Sequence, residues 1–110
     1  FAKLGIMPGL GSTHLLPKIV GMAKAQELLM TARTVTAHEA GDMGLVNYAV
    51  PADKLMAKAR ELALQCAECH PATQKYIKRA LHYGASVSLE EAFANEQRSV
   101  EWLRAEQQHG

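Results

Sequence analysis

The chain has 110 residues, enough for a small domain, with 48% apolar and 21% charged residues. That composition excludes a disordered tail. A formal net charge of +1, from 12 basic and 11 acidic residues, gives no basic surface of the kind nucleic acid needs, and no apolar run is long enough to span a bilayer.

The first stretch, Leu4-Gly5-Ile6-Met7-Pro8-Gly9-Leu10-Gly11-Ser12-Thr13-His14-Leu15-Leu16-Pro17, is a Gly/Pro turn running into an apolar segment. Glycine reaches positive φ cheaply and lets other groups come close. Pro8 pins φ and lacks an amide hydrogen. Ser12 and Thr13 are placed to cap a helix whose free N–H groups point back at the turn, a place suited to a polarised or anionic group.

Gly21 then interrupts the pattern. Residues 22–32 are strong helix formers, with Ala25, Leu28, Leu29 and Ala32 on one side. Thr36 and Glu39 fit a capping box, so a short helix is expected from Ala37, ended by Gly41 or Gly44. Leu45 to Val50 has the content of a short strand, stopped by Pro51.

A helix begins at Ala52 or Asp53, with Leu55, Ala59, Leu62, Cys66 and Cys69 as its apolar stripe. Pro71 suits the first turn of the next helix, whose buried face is Tyr76, Ile77, Ala80 and Leu81, with Gly84 as its stop. Ser88 and Glu91 form a second capping box. Leu89, Ala92, Phe93, Val100 and Leu103 line a long last helix. Five or six helices and about one strand result. Each amphipathic stripe needs a surface to cover, either a neighbouring helix or a sheet outside the chain.

Cys66-Ala67-Glu68-Cys69-His70 matches the pattern for covalent haem attachment. Both cysteines belong to an apolar helical stripe, which favours a plain helix end. The same residues offer three zinc ligands without the second pair a finger requires. A redox dithiol would want its first Cys at a helix N-terminus, whereas both lie near a C-terminus. His14, His38, His70, His82 and His109 are scattered and form no metal-ligand spacing. Gly11-Ser12-Thr13-His14 lacks the closing glycine of a nucleophile elbow. Gly9-Leu10-Gly11 starts like a dinucleotide fingerprint, but His14 stands where its third glycine belongs. The carboxylates Glu90, Glu91, Glu96 and Glu101 read as a solvated helix face.

The order of segments resembles the enoyl-CoA hydratase/isomerase (crotonase) family. The matching stretches are residues 3–21, Ala25 to Leu29, Val35 to Ala40, Gly44 to Asn47, Val50-Pro51, Lys78 to Leu81 and Ser88 to Ala92. The resemblance implies an α/β crotonase-like fold of stacked ββα turns, of which this mainly α chain is the C-terminal portion. Residues 1–51 would close the core and residues 52–110 would form the C-terminal helical region. The expected substrate is an enoyl-CoA thioester, with no metal and no cofactor. Polarisation would come from an oxyanion hole in the first half, outside this chain. Met7, Pro8, Gly9, Leu10 and Gly11 would form a wall of the substrate pocket. A homotrimer or dimer of trimers, in the cytoplasm or mitochondrial matrix, is also implied. The absence of an initiator Met before Phe1 reads as a lost N-terminal part.

The chain departs from the family in its acids. The hydratase glutamate position, four residues before Gly5, is Phe1. The isomerase acid position, directly after Pro8, is Gly9. Neither side chain can accept a proton, so no catalytic residue is assigned in the chain. The alternative reading is a non-catalytic acyl-CoA-binding or assembly module of the same fold.

Overall fold

The structure, a computed structural model, describes residues 1–109. It resolves into two compact units, Phe1–Leu55 and Met56–Gly110.

In the first unit a 3-10 turn, Ala2–Leu4, precedes helices α1 (Ser12–Val20), α2 (Met22–Thr31) and α3 (Ala37–Asp42). α1 packs on α2, and α2 on the opening turn. The helical period places Ala25 and Leu28 on the buried side of α2, with Leu29 and Ala32 half-buried. Gly21 makes the α1–α2 corner with φ 86° and ψ 160°, a conformation essentially reserved for glycine. α3 starts on a complete capping box. The Glu39 N–H donates to Thr36 Oγ1 at 3.2 Å, and the Thr36 N–H donates to Glu39 Oε1 at 3.4 Å.

Residues Leu45 to Val50 are not a strand, and none forms among the described residues. The N–H groups of Leu45 and Val46 both turn to the Ala40 carbonyl, at 2.9 and 3.3 Å. A strand needs a partner ladder, and here the amides are taken by the end of α3.

The first unit ends in a 3-10 turn at Ala52–Lys54 that runs into α4 (Leu55–Ala67), and the second unit holds the rest of α4 with α5 (Pro71–Gly84) and α6 (Leu89–His109). Pro71 occupies the first turn of α5, where its missing N–H costs nothing. The Ser88 hydroxyl accepts the Glu91 N–H at 3.1 Å at the head of α6. α5 and α6 pack together. Tyr76 is the buried residue of that pair, its ring 6.1 Å from that of Trp102. The Tyr76 hydroxyl donates to Glu106 at 2.5 Å, and Lys75 pairs with the same carboxylate. Lys75 and Tyr76 hold the Glu106 carboxyl below its ordinary range.

Several stripes expected to be buried are open. Leu55, Ile77, Leu81, Leu89, Phe93 and Val100 are exposed, and α4 buries no residue. The periodicity is helical as expected, but among the described residues the helices that pack closely on one another are α1 with α2 and α5 with α6. A stripe three or four residues wide exceeds what a single helix can cover.

Candidate functional site

The site is built on residues 1–19. The Phe1 carbonyl accepts the N–H groups of Leu4 and Ile6, each at 3.0 Å, closing the first turn. Gly5, at φ 69°, ends that turn and sends Met7 and Pro8 outward. Leu10 and Gly11 then adopt positive φ in succession, 60° and 83°. For leucine this is a strained backbone state. Its side chain is fully exposed, at 105% of the reference area, so side-chain packing does not account for the conformation.

The left-handed pair changes the capping of α1. Ser12 and Thr13 were expected to cap it, but the N-cap is Gly11 and no side chain bonds there. The Gly11 carbonyl accepts the N–H groups of His14 and Leu15 at 3.0 and 2.8 Å, and the Ser12 N–H donates to Gly9 at 3.1 Å. Ser12 is thereby drawn into the first helical position. Its Oγ is buried and has no hydrogen-bond partner.

Two open grooves flank the turn. The first, about 650 Å³, is lined by Phe1, Gly9, Leu10, Ser12, Leu15, Leu16 and Ile19. The second, about 520 Å³, includes Met7, Pro8, Pro17, Met22, Leu29 and Met30. The five residues named as a pocket wall are therefore divided. Gly9 and Leu10 face the first groove, Met7 and Pro8 the second, and Gly11 lines neither but forms the cap between them. Phe1 and Gly9, eight positions apart, come to the same groove. That groove carries no titratable side chain, and its one polar side chain is Ser12. It can hold a hydrocarbon but supplies no proton donor or acceptor of the carboxylate kind.

A charged cluster sits elsewhere in the same unit. Arg33 reaches Glu27 through Nε and Nη2, at 3.1 and 2.8 Å, and Glu39 through Nη1 at 2.8 Å. The guanidinium bonds hold both carboxyls below the ordinary glutamate range, and for Glu39 the Thr36 backbone adds to the effect. The two carboxylates in turn raise the guanidinium. Arg33 thus ties the middle of α2 to the first turn of α3. This clamp was not anticipated from the sequence. Its signal was the spacing, since Glu27, Arg33 and Glu39 lie six residues apart on either side of a linker.

The other candidates stay apart. His14 is exposed on α1, His38 pairs with Asp42 at 3.3 Å on the surface, and His70 precedes α5. His82 lies in the last turn of α5, and the side chain of His109 lies outside the described residues. Glu90, Glu91, Glu96 and Glu101 are exposed on α6. Among the described residues no helix is long and apolar enough to cross a membrane.

The sequence profile of enoyl-CoA hydratase/isomerase matches residues 1–109. The chain belongs to the enoyl-CoA hydratase/isomerase family. It is 40% identical over 98 residues to YngF of Bacillus subtilis (strain 168), whose name carries the same family description. That match takes in 89% of this chain and 38% of YngF. It is 39% identical over 93 residues to a short-chain-enoyl-CoA hydratase of Clostridium acetobutylicum, covering 84% of this chain and 36% of that one. The crystal structure of an enoyl-CoA hydratase from Bacillus anthracis superposes with a TM-score of 0.87 at 36% identity, over 90% of this chain and 38% of that one. The chain therefore spans a little over a third of the length of these three relatives and has the fold of the corresponding part of the crotonase fold.

Proposed function

We propose that this chain is the C-terminal portion of an acyl-CoA-processing protein of the hydratase/isomerase type. Its substrate would be an enoyl-CoA thioester, and the reaction would proceed through an enolate whose oxygen is stabilised by preorganised N–H donors. Those donors belong to a part of the fold not contained in residues 1–110. In this chain the turn at residues 7–11 would serve as one wall of the acyl site. The reading is supported by the family profile over residues 1–109 together with the apolar groove at which Phe1 and Gly9 meet, the two positions where the family resemblance implies acids.

The same observation supports a second reading. With phenyl and hydrogen side chains at those positions, the protein would bind acyl-CoA, or serve assembly, without two-carboxylate hydration. General acid–base groups contribute about 10²–10⁴ in rate, so their absence separates the two readings kinetically. The exposed Leu81, Leu89 and Phe93 suit contacts with further copies in a homotrimer or dimer of trimers.

Incubation of the 110-residue chain with crotonyl-CoA, followed by loss of enoyl absorbance, tests the central claim. No hydration above the uncatalysed rate is expected, because the oxyanion donors lie outside the chain. Enzyme-like turnover would refute it. In a longer protein carrying this segment, binding of acyl-CoA without turnover, unchanged in Gly9→Glu, would favour the non-catalytic reading. Gly9 accepts that change sterically, since a Cβ there meets nothing within 4 Å.

A further inference from the structure

The segment Cys66-Ala67-Glu68-Cys69-His70 has no part in the site described above. Cys66 lies in the last turn of α4 and Cys69 in the turn that follows, and both thiols are free and exposed. The Cys69 N–H donates to the Cys66 carbonyl at 3.1 Å. A turn closed in this way keeps its first and fourth Cα atoms within about 7 Å. Disulfides bridge Cα atoms about 4.4–6.8 Å apart. The Cys69 thiol also folds back along the helix, where Sγ approaches the Gln65 carbonyl at 3.8 Å. That carbonyl belongs to the residue next to Cys66.

The surrounding corner is braced. The Glu68 N–H donates to Leu64 at 3.2 Å. Gln74, on α5, donates from Nε2 to the Cys66 carbonyl at 2.7 Å, and its N–H donates to His70 at 3.0 Å. These bonds fix the backbone on both sides of the pair. Among the described residues no three His, Cys, Asp or Glu side chains gather as a metal site, whereas two thiols suffice for a disulfide; their place at a helix C-terminus denies them the thiolate activation of a catalytic redox pair but does not prevent slow closure by exchange.

The geometry points to Cys66 and Cys69 as an oxidisable dithiol that closes to an intramolecular disulfide at the α4–α5 corner, with a small-molecule disulfide of the glutathione type as oxidant. One protein thiolate attacks the S–S bond of the oxidant. A small thiolate leaves and takes up a proton, and a mixed disulfide remains. The second protein thiolate attacks the protein-side sulfur of that bond and releases the second small thiol. One S–S bond is broken and one formed, two protons pass to the small thiols, and two electrons pass from protein to oxidant.

The test equilibrates the native chain with a series of reduced and oxidised glutathione mixtures, quenches with acid and digests with trypsin. The tryptic peptide Glu61 to Lys75 contains both cysteines. A peptide about 2 Da lighter than the reduced form is expected. The ring should be favoured over two mixed disulfides by about tenfold or more relative to the same chain in urea, because the native turn pre-orients the thiols. Cys66→Ser should carry a single glutathione on Cys69. Glutathione on both cysteines without a ring, disulfide-linked dimers, or closure no better in native protein than in urea would overturn the proposal.

Discussion

Replacing Gly21 by alanine isolates the backbone cost of the α1–α2 corner. At φ 86° and ψ 160° the residue lies in a region nearly closed to side chains, yet a Cβ built there meets no atom within 4 Å. Any loss of stability is therefore conformational rather than steric crowding. Such strain costs about 1–3 kcal/mol. Gly9→Ala is the matched control. Its Cβ also meets open space, and its φ is not in the left-handed range. At a compatible position alanine stabilises by about 0.4–1 kcal/mol, by reducing the freedom of the unfolded chain. The two variants should thus differ by roughly 1.5–4 kcal/mol. With a urea dependence of about 1–3 kcal/mol per molar, this separates their midpoints by about 0.5–4 M. Far-ultraviolet circular dichroism through a urea titration reads the difference. Equal midpoints for the two alanine variants would refute the assignment of strain to Gly21.

Thr36→Ala removes the hydroxyl that accepts the Glu39 N–H and should cost about 1 kcal/mol, measured by the same titration. Thr36→Ser should retain most of the stability, and an equal loss in both variants would contradict a capping role. The Arg33 cluster predicts a pH effect. Glu27 and Glu39 are depressed below their ordinary value of 4.5. The stability they contribute is therefore fully present above about pH 4.5 and is lost as pH falls through their lowered folded-state values. Arg33→Met should remove that acid-dependent share and flatten the profile below about pH 4.5, followed by urea midpoints across the acid range. A profile unchanged by the substitution would show that the ion pairs do not couple to folding. Because these groups are solvent-exposed, added salt should weaken the effect.

Much of the chain was legible before its structure was known, for local reasons. Thr36 and Glu39 specify a helix start because their bonds span only three residues. Pro71 and the stripe through Ala25 and Leu28 mark α5 and α2 in the same way. The family was legible too, since residues 3–21 and the shorter stretches after them retain their order along the chain, and the profile match over residues 1–109 agrees.

Tertiary structure decided what residue type alone leaves open. Leu45 to Val50 has strand composition, but its first amides turn to Ala40, and among the described residues no strand pairs with the segment. Ser12 has the chemistry of a cap, but Leu10 and Gly11 at positive φ draw it into the helix and leave its hydroxyl unpaired. Period and capping are properties of neighbouring residues and can be read in one dimension. Which groups share a groove is not local. Only the turn through Gly5 and Gly11 brings Phe1 and Gly9 to one surface, and only the fold lets Arg33 join two helices.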